Sequence, residues 1–470
     1  MRRIGIRTWL HAIAAPHSLA RLKVKKAVTS PARVLMLGFG ALILIGTLLL
    51  HLPLASTGER LPFLDALFTA TSAVCVTGLT VVDPGSDLTL FGQVALIALI
   101  QVGGLGFMTL STLILILLRR RITLSERLVI SNSLNQEGLQ GMVALTVRIV
   151  VLVLAIEGIG AVLLMTRMIP EHGVARGVWH SVFHSISAFC NAGFDLVGGF
   201  SYYKNDPVVQ LIICALITVG GIGFSVLFDL QRNHMRFARL SLHSKLVLVI
   251  SAILTLGGAI CFFVLEIENP RTLADPEMYP YMRPVNALFQ SVTARTAGYN
   301  TLNQADLTPP SLMLTMILMF IGASPASTGG GLKTTTFGLF FLLIYNVLRG
   351  RERVVVFRRT VNQGQMNRAV VLFTLALTLI IVSYLLLTLL LEPSEAVNSS
   401  NIMYEVISAF GTVGLTIGVT AELNAAGKIL MCVVMFVGRV GLLTIALGIT
   451  RRHPKGQNHL IYPEGKVMIG

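Results

Sequence analysis

Long apolar segments constrain this 470-residue chain more than any other feature, because each of them can cross a lipid bilayer. A helix needs about 20 apolar residues to cross a hydrocarbon core of about 30 Å. Eight segments qualify: 34–54, 91–118, 147–166, 208–230, 246–265, 311–344, 369–391 and 428–449. With 54% hydrophobic and only 13% charged residues, the composition is that of an integral membrane protein.

The basic residues form short clusters between the apolar segments, and this pattern predicts a topology. The clusters lie at the N-terminus and at 119–127, 232–245, 349–359 and 451–455. Because cytoplasmic connections are enriched in Lys and Arg, we expect every second connection and both termini to be cytoplasmic. The net charge of +15 does not indicate nucleic-acid binding, which would need one basic face. The first apolar segment lacks a small-residue cleavage site and is expected to be retained.

Each outward connection contains a second apolar stretch that is too short to cross the membrane. These stretches are 63–76, 178–190, 284–295 and 402–411. Their length suits re-entrant helices, which are tolerated at membrane depth only when buried in protein or lining a water-filled path.

A glycine recurs in register at the end of the four short stretches, and a second glycine follows about 25 residues later. The two sets are Gly78, Gly193, Gly298 and Gly414, then Gly103, Gly220, Gly322 and Gly438. One unit of about 110 residues is therefore used four times. The predicted fold is all-α and integral to the membrane: four linked M1-P-M2 pore units, with eight transmembrane helices and four re-entrant pore helices, in a pseudo-fourfold arrangement around one pore.

The predicted segments follow this repeat. They are a basic cytoplasmic N-terminus at 1–30, pore repeats at 31–120, 121–231, 232–349 and 350–450, and a cytoplasmic tail at 451–470.

The repeated glycines indicate a monovalent-cation filter. A dehydrated potassium ion needs several close oxygens, which rings of backbone carbonyls supply. Glycine, with no Cβ, suits a strand whose carbonyls all face one way, and threonine hydroxyls could add oxygens. Short helices that point their C-terminal ends at the axis would further favour a cation. The alternative is that these glycines are packing contacts between membrane helices.

The four motifs resemble the potassium-channel-like filters of the Trk/Ktr/HKT superfamily of potassium transporters. They are Val76, Thr77 and Gly78; Asn191, Ala192 and Gly193; Thr296, Ala297 and Gly298; and Thr412, Val413 and Gly414. The resemblance covers essentially the whole chain and is greatest for the membrane (KtrB-type) subunit of the bacterial Ktr potassium-uptake system. The short segment before the first span favours Ktr over Trk.

The resemblance implies potassium uptake across the bacterial cytoplasmic (inner) membrane, with sodium as a candidate coupling ion and no organic cofactor in this chain. A glycine at position 78 implies potassium rather than sodium permeation. It further implies a homodimer with one pore per chain, seated on a cytoplasmic regulatory subunit that binds ATP or ADP. The C-terminal residues 463–470 look like the family's dimer-contact segment.

The sixth apolar segment is interrupted, because a proline and three consecutive glycines stand where a continuous helix should run. We predict a pore-obstructing loop, by resemblance to Ktr and Trk proteins; a plain helix kink is the alternative. A phosphate-binding loop is excluded, because Leu332 separates glycine from lysine. The candidate gate residues are Gly322, Ala323, Ser324, Pro325, Ala326, Ser327, Thr328, Gly329, Gly330, Gly331, Lys333 and Arg439.

Arg439 lies in the eighth span, and a charge there should face the protein interior or water. We expect it to hold the loop closed; the alternative is an arginine that extends to the cytoplasmic surface. Glu157 is expected to make a structural pairing, and Arg295 to anchor the third filter strand. Five acids beyond the filter strands could concentrate cations or simply be solvated: Asp83, Asp87, Asp195, Asp206 and Asp306.

Three other functions are alternatives for the same sequence. A sodium-permeable or less selective channel would share the fold, whereas an alternating-access carrier generally uses inverted repeats. A membrane enzyme is not indicated, because no paired carboxylates or nucleophile with a base are evident. His180 and His184 could share a metal, but no third ligand stands near them in the sequence.

Overall fold

The computed structural model describes residues 31–106, 142–351, 353–394 and 397–449, and helices dominate these ranges. The first two repeats contain α1 (Pro31–Leu50), α2 (Phe63–Cys75), α3 (Leu90–Leu105), α4 (Met142–His172), α5 (Val174–Cys190), α6 (Pro207–Ile222) and α7 (Phe224–Arg232). The last two contain α8 (Leu242–Glu266), α9 (Arg283–Thr293), α10 (Pro309–Phe320), α11 (Thr334–Leu348), α12 (Gln363–Leu390), α13 (Ser399–Gly411), α14 (Ala425–Val440) and α15 (Leu442–Ile449). The predicted all-α membrane fold is confirmed.

Each repeat begins with a helix long and apolar enough to cross a membrane. These are α1, α4, α8 and α12, whose candidate membrane spans are 19 to 28 residues long. The pore helices α2, α5, α9 and α13 follow them and have only 11 to 17 residues. They are therefore too short to cross, as the sequence predicts.

The second spans of the second and fourth repeats are broken within their apolar segments. The chain bends by 93° between α6 and α7, and it breaks again between α14 and α15, whereas the sequence predicts a break only in the third repeat. The turning residues Gly223 and Gly441 have φ values of +101° and +91°, and positive φ ends a right-handed helix. Gly106 (φ +80°) ends α3 in the same register. The sequence therefore contains a third set of glycines in register, three residues after the second set, which the hydropathy pattern does not reveal.

The repeats close into a ring, because the second-span helix of each repeat packs against the pore helix of the next. The pairs are α3 with α5, α6 with α9, α10 with α13, and α14 with α2. The last pair returns from the fourth repeat to the first. Each pore helix is consequently held between two repeats.

The second set of repeated glycines, which follows the motif glycines by about 25 residues, allows the second span to approach the pore helix of its own repeat. Gly103, Gly220 and Gly438 each lie against a pore-helix carbonyl, which a Cβ would overlap; for Gly220 it is the carbonyl of Phe189. A larger residue would push the two helices apart.

A small hairpin connects the third and fourth repeats, an element that the sequence did not predict. Strands β1 (Val355–Val356) and β2 (Arg359–Thr360) pair antiparallel. The turn residues Phe357 and Arg358 both have positive φ, as a type I′ turn requires. The predicted repeat boundaries stay predictions.

Ion pairs join neighbouring repeats on the loop side opposite the hairpin. Lys204 contacts Asp275 at 2.8 Å, between the second and third repeats, and Lys428 contacts Asp65 at 2.5 Å, between the fourth and first. The hydrogen bond from Lys204 lowers the pKa of Asp275, so the pair keeps its charge at neutral pH.

Replacing Gly220 by alanine tests whether this close helix contact supports the ring. We expect Gly220→Ala to lower the free energy of unfolding by about 1–3 kcal/mol, because the added methyl group overlaps the Phe189 carbonyl. The measurement is thermal unfolding in detergent. Gly158→Ala is the matched control, since Gly158 lies in α4 with nothing within 4 Å of its Cβ position. Equal melting temperatures of the two variants would contradict the role of this contact.

Candidate functional site

The four filter motifs meet at one place, where their backbones form a closed ring. Each motif glycine lies against the carbonyl of the middle residue of the next motif. A Cβ at Gly78 would stand 2.5 Å from the Ala192 oxygen, and one at Gly298 would stand 2.5 Å from the Val413 oxygen. The same relation joins Gly193 to Ala297 and Gly414 to Thr77, which closes the ring.

The four strands share one backbone path. The first residue of each motif has positive φ although it is not glycine, with values of 57°, 60°, 74° and 51° at Val76, Asn191, Thr296 and Thr412. The motif glycines also have positive φ. Such conformations are costly for non-glycine residues, and valine and threonine are β-branched. The surrounding structure must therefore hold these strands in place.

The C-terminal ends of the pore helices hold the strands. In the first repeat, the Thr77 N–H donates to the Ser72 carbonyl at 2.8 Å and the Gly78 N–H donates to the Ser72 hydroxyl at 3.0 Å. Ser408 accepts in the same way from Val413 and Gly414 in the fourth repeat. We did not predict these serines from the sequence, although a serine stands six residues before the glycine in three repeats.

The polar side chains of the motifs differ in their hydrogen bonding. The Thr77 hydroxyl is buried and has no hydrogen-bond partner among the described residues. The Asn191 side chain and the Thr296 hydroxyl lie 3.2 Å apart and join the second and third strands. The Thr412 hydroxyl accepts from the Gly330 N–H at 3.0 Å.

The predicted interruption of the sixth span is observed as a loop over residues 321–333 that lies against one end of the ring. Cβ atoms at Gly329 and Gly330 would overlap the hydroxyls of Thr296 and Thr412. The three successive glycines therefore allow the loop backbone to contact the first residues of two filter strands.

The loop also binds the ends of the surrounding second-span helices. The Ser324 and Thr328 N–H groups donate to the carbonyls of Gly221 and Gly220 at 3.0 and 3.3 Å. The Gly331 N–H donates to the Gly438 carbonyl at 3.3 Å. The loop thus joins the second and fourth repeats.

The remaining candidate gate residues take part in the same loop. The Ala326 carbonyl accepts from Phe224 at 2.9 Å, and the Pro325 carbonyl lies beside Gly223. Ser327 donates to the Ser324 carbonyl at 2.6 Å. Further loop contacts are Gly322 against Gly330, the Ala323 N–H to the Gly330 carbonyl, and the Lys333 ammonium to the Gly329 carbonyl at 2.7 Å.

Arg439 joins the loop to the first repeat. Its guanidinium donates to the Thr328 carbonyl of the loop and to the carbonyls of Gly103 and Gly104 at the end of α3, the last at 3.1 Å. This placement agrees with an arginine that faces the protein interior. The oxygens that accept these hydrogen bonds all belong to the main chain.

Two other buried charged groups lie beside the ring rather than in it. The Glu157 carboxylate accepts from Gln101 at 3.0 Å, which is the structural pairing expected. Arg295 donates to the Thr255 hydroxyl at 2.9 Å and to Ser251 on α8, and so ties the start of the third strand to a neighbouring span.

The five acids beyond the filter strands are engaged in local structure. Asp195 accepts from three backbone N–H groups, at 3.1 to 3.3 Å, and Asp206 caps α6. Asp83 and Asp87 hold one turn, and Asp306 accepts from Asn303. Within the described ranges, no group of three or more His, Cys, Asp or Glu could hold a metal ion.

The chain matches the family model TrkH, described as cation transport protein, over residues 4–461. It is 40% identical to the potassium/sodium uptake protein NtpJ of Enterococcus hirae, over 96% of this chain and all of that protein. It is also 40% identical to the Ktr system potassium uptake protein B of Bacillus subtilis, with the same coverage, and to that of Vibrio alginolyticus, over 95% of this chain and 97% of that protein.

Among solved structures, the fold matches the potassium transporter TrkH from Vibrio parahaemolyticus. The TM-score is 0.73 at 19% sequence identity, over 92% of this chain and 87% of that one. Sequence and fold therefore agree: the chain belongs to the TrkH family of cation transport proteins, as a KtrB-type member of the Trk/Ktr superfamily, and is a multi-pass membrane transporter rather than an enzyme.

Proposed function

We propose that this chain takes up potassium across the bacterial cytoplasmic membrane, with the ion passing through the ring of filter strands. The observation on which the proposal rests is the closed ring of four main-chain carbonyls, each against a glycine of the neighbouring repeat. Carbonyl rings replace the hydration shell of potassium without adding full charges. The buried hydroxyl of Thr77, which has no hydrogen-bond partner among the described residues, is a further oxygen beside the ring. Relatives at 40% identity named as potassium uptake proteins support this substrate.

The loop at 321–333 and Arg439 act in this proposal as the gate. The loop contacts Thr296 and Thr412, the first residues of two filter strands, and so lies in the path of an ion that leaves the ring. Arg439 fastens it to α3 and places a positive charge beside that path. Both features oppose cation passage until the loop moves.

A less selective, sodium-permeable channel is the second candidate, because one relative is named a potassium/sodium uptake protein. Sodium is also the candidate coupling ion. Alternating access is less well supported, because the four repeats pack head to tail in one ring, whereas carriers of that kind generally use inverted repeats.

The partners and orientation belong to the same proposal. We expect a homodimer on a cytoplasmic regulatory subunit that binds ATP or ADP, with both termini in the cytoplasm. The exposed hairpin residues Arg358 and Arg359 provide a basic surface on the side predicted to be cytoplasmic. The predicted C-terminal dimer contact at 463–470 and the basic cluster at 119–127 lie outside the described residues.

The direct test is growth of a potassium-uptake-deficient bacterium that expresses this chain with and without a Ktr-type cytoplasmic subunit. Rescue at low potassium, together with uptake of potassium in preference to sodium, supports the proposal. Equal uptake of both ions would favour the less selective channel, and no uptake with the partner present would refute both.

Serine in place of Gly298 tests the ring. The new Cβ would stand 2.5 Å from the Val413 oxygen at a φ of +82°, so the strand must shift and the ring must open. We expect potassium uptake to fall roughly tenfold or more, because such backbone strain costs on the order of 1–3 kcal/mol. Gly257→Ser is the control, since Gly257 lies in α8 with nothing within 4 Å of its Cβ position. Similar uptake by the two variants would argue against an ion path at Gly298.

Alanine in place of Arg439 tests the gate. Removing the guanidinium frees the Thr328 carbonyl from α3 and removes a positive charge. Potassium flux in proteoliposomes should therefore rise about tenfold or more, the factor that corresponds to the loss of a charged hydrogen bond of roughly 1.5–3 kcal/mol. Arg439→Lys should give an intermediate flux, because one ammonium cannot reproduce the forked contacts. Arg167→Ala, which removes a half-exposed arginine paired with Asp206, is the control. Flux equal to that of the unmodified chain would contradict the gating role.

A further inference from the structure

One buried polar side chain of each pore helix occupies the same position, eight or nine residues before the motif glycine. We call these four residues, Thr69, His184, Gln290 and Glu405, the bracing positions. All four are fully buried. Burial of a polar group is unfavourable unless it is hydrogen-bonded, so the contacts of each bracing position indicate what it does.

In the second and third repeats, the bracing position binds the segment that follows the motif glycine. The His184 Nε2 accepts from the Leu196 N–H at 3.3 Å, while its Nδ1 lies 2.7 Å from the His180 carbonyl. Gln290 exchanges two hydrogen bonds with Gln304, at 2.7 and 3.1 Å. Pore helix and outgoing segment are thereby joined behind each filter strand.

Glu405 makes a similar contact in the fourth repeat. Its carboxylate accepts from the hydroxyls of Thr416, at 2.9 Å, and Thr420. The Thr416 hydroxyl in turn accepts from the Gly418 N–H at 3.0 Å. One side chain therefore holds the segment that begins two residues after Gly414.

The first repeat differs. The Thr69 hydroxyl is buried but has no hydrogen-bond partner in the part of the chain that the structure describes. The protein therefore contains this position both with and without a hydrogen bond to the outgoing segment, and Thr69 serves as an internal control.

We propose that Glu405 is a positioning residue for ion selectivity, an inference that rests on the proposed function of the ring. The fourth strand has positive φ at Thr412 and Gly414, and such strained backbone persists only where its surroundings hold it. Glu405 holds the outgoing end of that strand through Thr416 and Thr420, as Ser408 holds the incoming end. The Val413 carbonyl, which lies against Gly298 in the ring, is thereby kept at the distance that suits potassium.

The test compares Glu405→Leu, Glu405→Gln and the control Thr69→Val in full-length chain reconstituted in liposomes. The ratio of potassium to sodium flux should fall about tenfold in Glu405→Leu, because two buried hydroxyls lose their acceptor. Glu405→Gln keeps one acceptor oxygen and should lie between Glu405→Leu and the unmodified chain. Thr69→Val should leave the ratio unchanged, since no hydrogen bond is lost.

A second variant covers the case in which Glu405→Leu does not fold. The pair Thr416→Val and Thr420→Val removes the donors and leaves Glu405 in place, and it should lower the flux ratio in the same direction. If this double variant, or monodisperse Glu405→Leu, has the same flux ratio as the unmodified chain, the inference about Glu405 is overturned and the proposed function is not affected. Absence of potassium flux in the unmodified chain overturns the proposed function and this inference with it.

Discussion

The contact between each motif glycine and the carbonyl of the next strand is the constraint on which the rest of the structure depends. It requires a residue without Cβ and with positive φ, and it requires the next repeat to be present at close range. No strand is supported by its own repeat alone. The packing of each second-span helix against the following pore helix is what brings the strands to that distance, and the serines at the ends of the pore helices keep them there.

The position of the loop beside the ring also depends on glycines, because these residues have no side chain. Gly329 and Gly330 bring main chain against Thr296 and Thr412, where any other residue would overlap. Arg439 also contacts the end of α3, where the last carbonyls of the helix have no intrahelical partner. The guanidinium satisfies the open carbonyls of Gly103 and Gly104. The charge inside the membrane protein is accommodated here by main-chain oxygens.

The four repeats are similar but not identical, because four repeats in one chain can differ in ways that four identical subunits cannot. Within the residues that the structure describes, the third repeat alone has a break of more than ten residues in its second span. Its pore helix also ends without the left-handed cap residue of the other three. The bracing positions range from a hydroxyl without a partner in the described ranges, at Thr69, to the carboxyl group of Glu405 with two. The asymmetry gives the ring a side on which a single loop can lie.

The sequence by itself determined the class, the four repeats, the glycine ring motifs, the interrupted sixth span and the inward-facing Arg439. All of these follow from local composition or from register between repeats, which need no knowledge of contacts. Only the tertiary structure decided that the second spans break at Gly223 and Gly441, that Ser72 and Ser408 hold the strands, and which carbonyls Arg439 binds. Those features join residues that lie in different helices, and Arg439 and Gly103 are 336 positions apart. Hydrophobic periodicity reports which residues avoid water, but a hydrogen bond between distant residues exists only once the helices have packed.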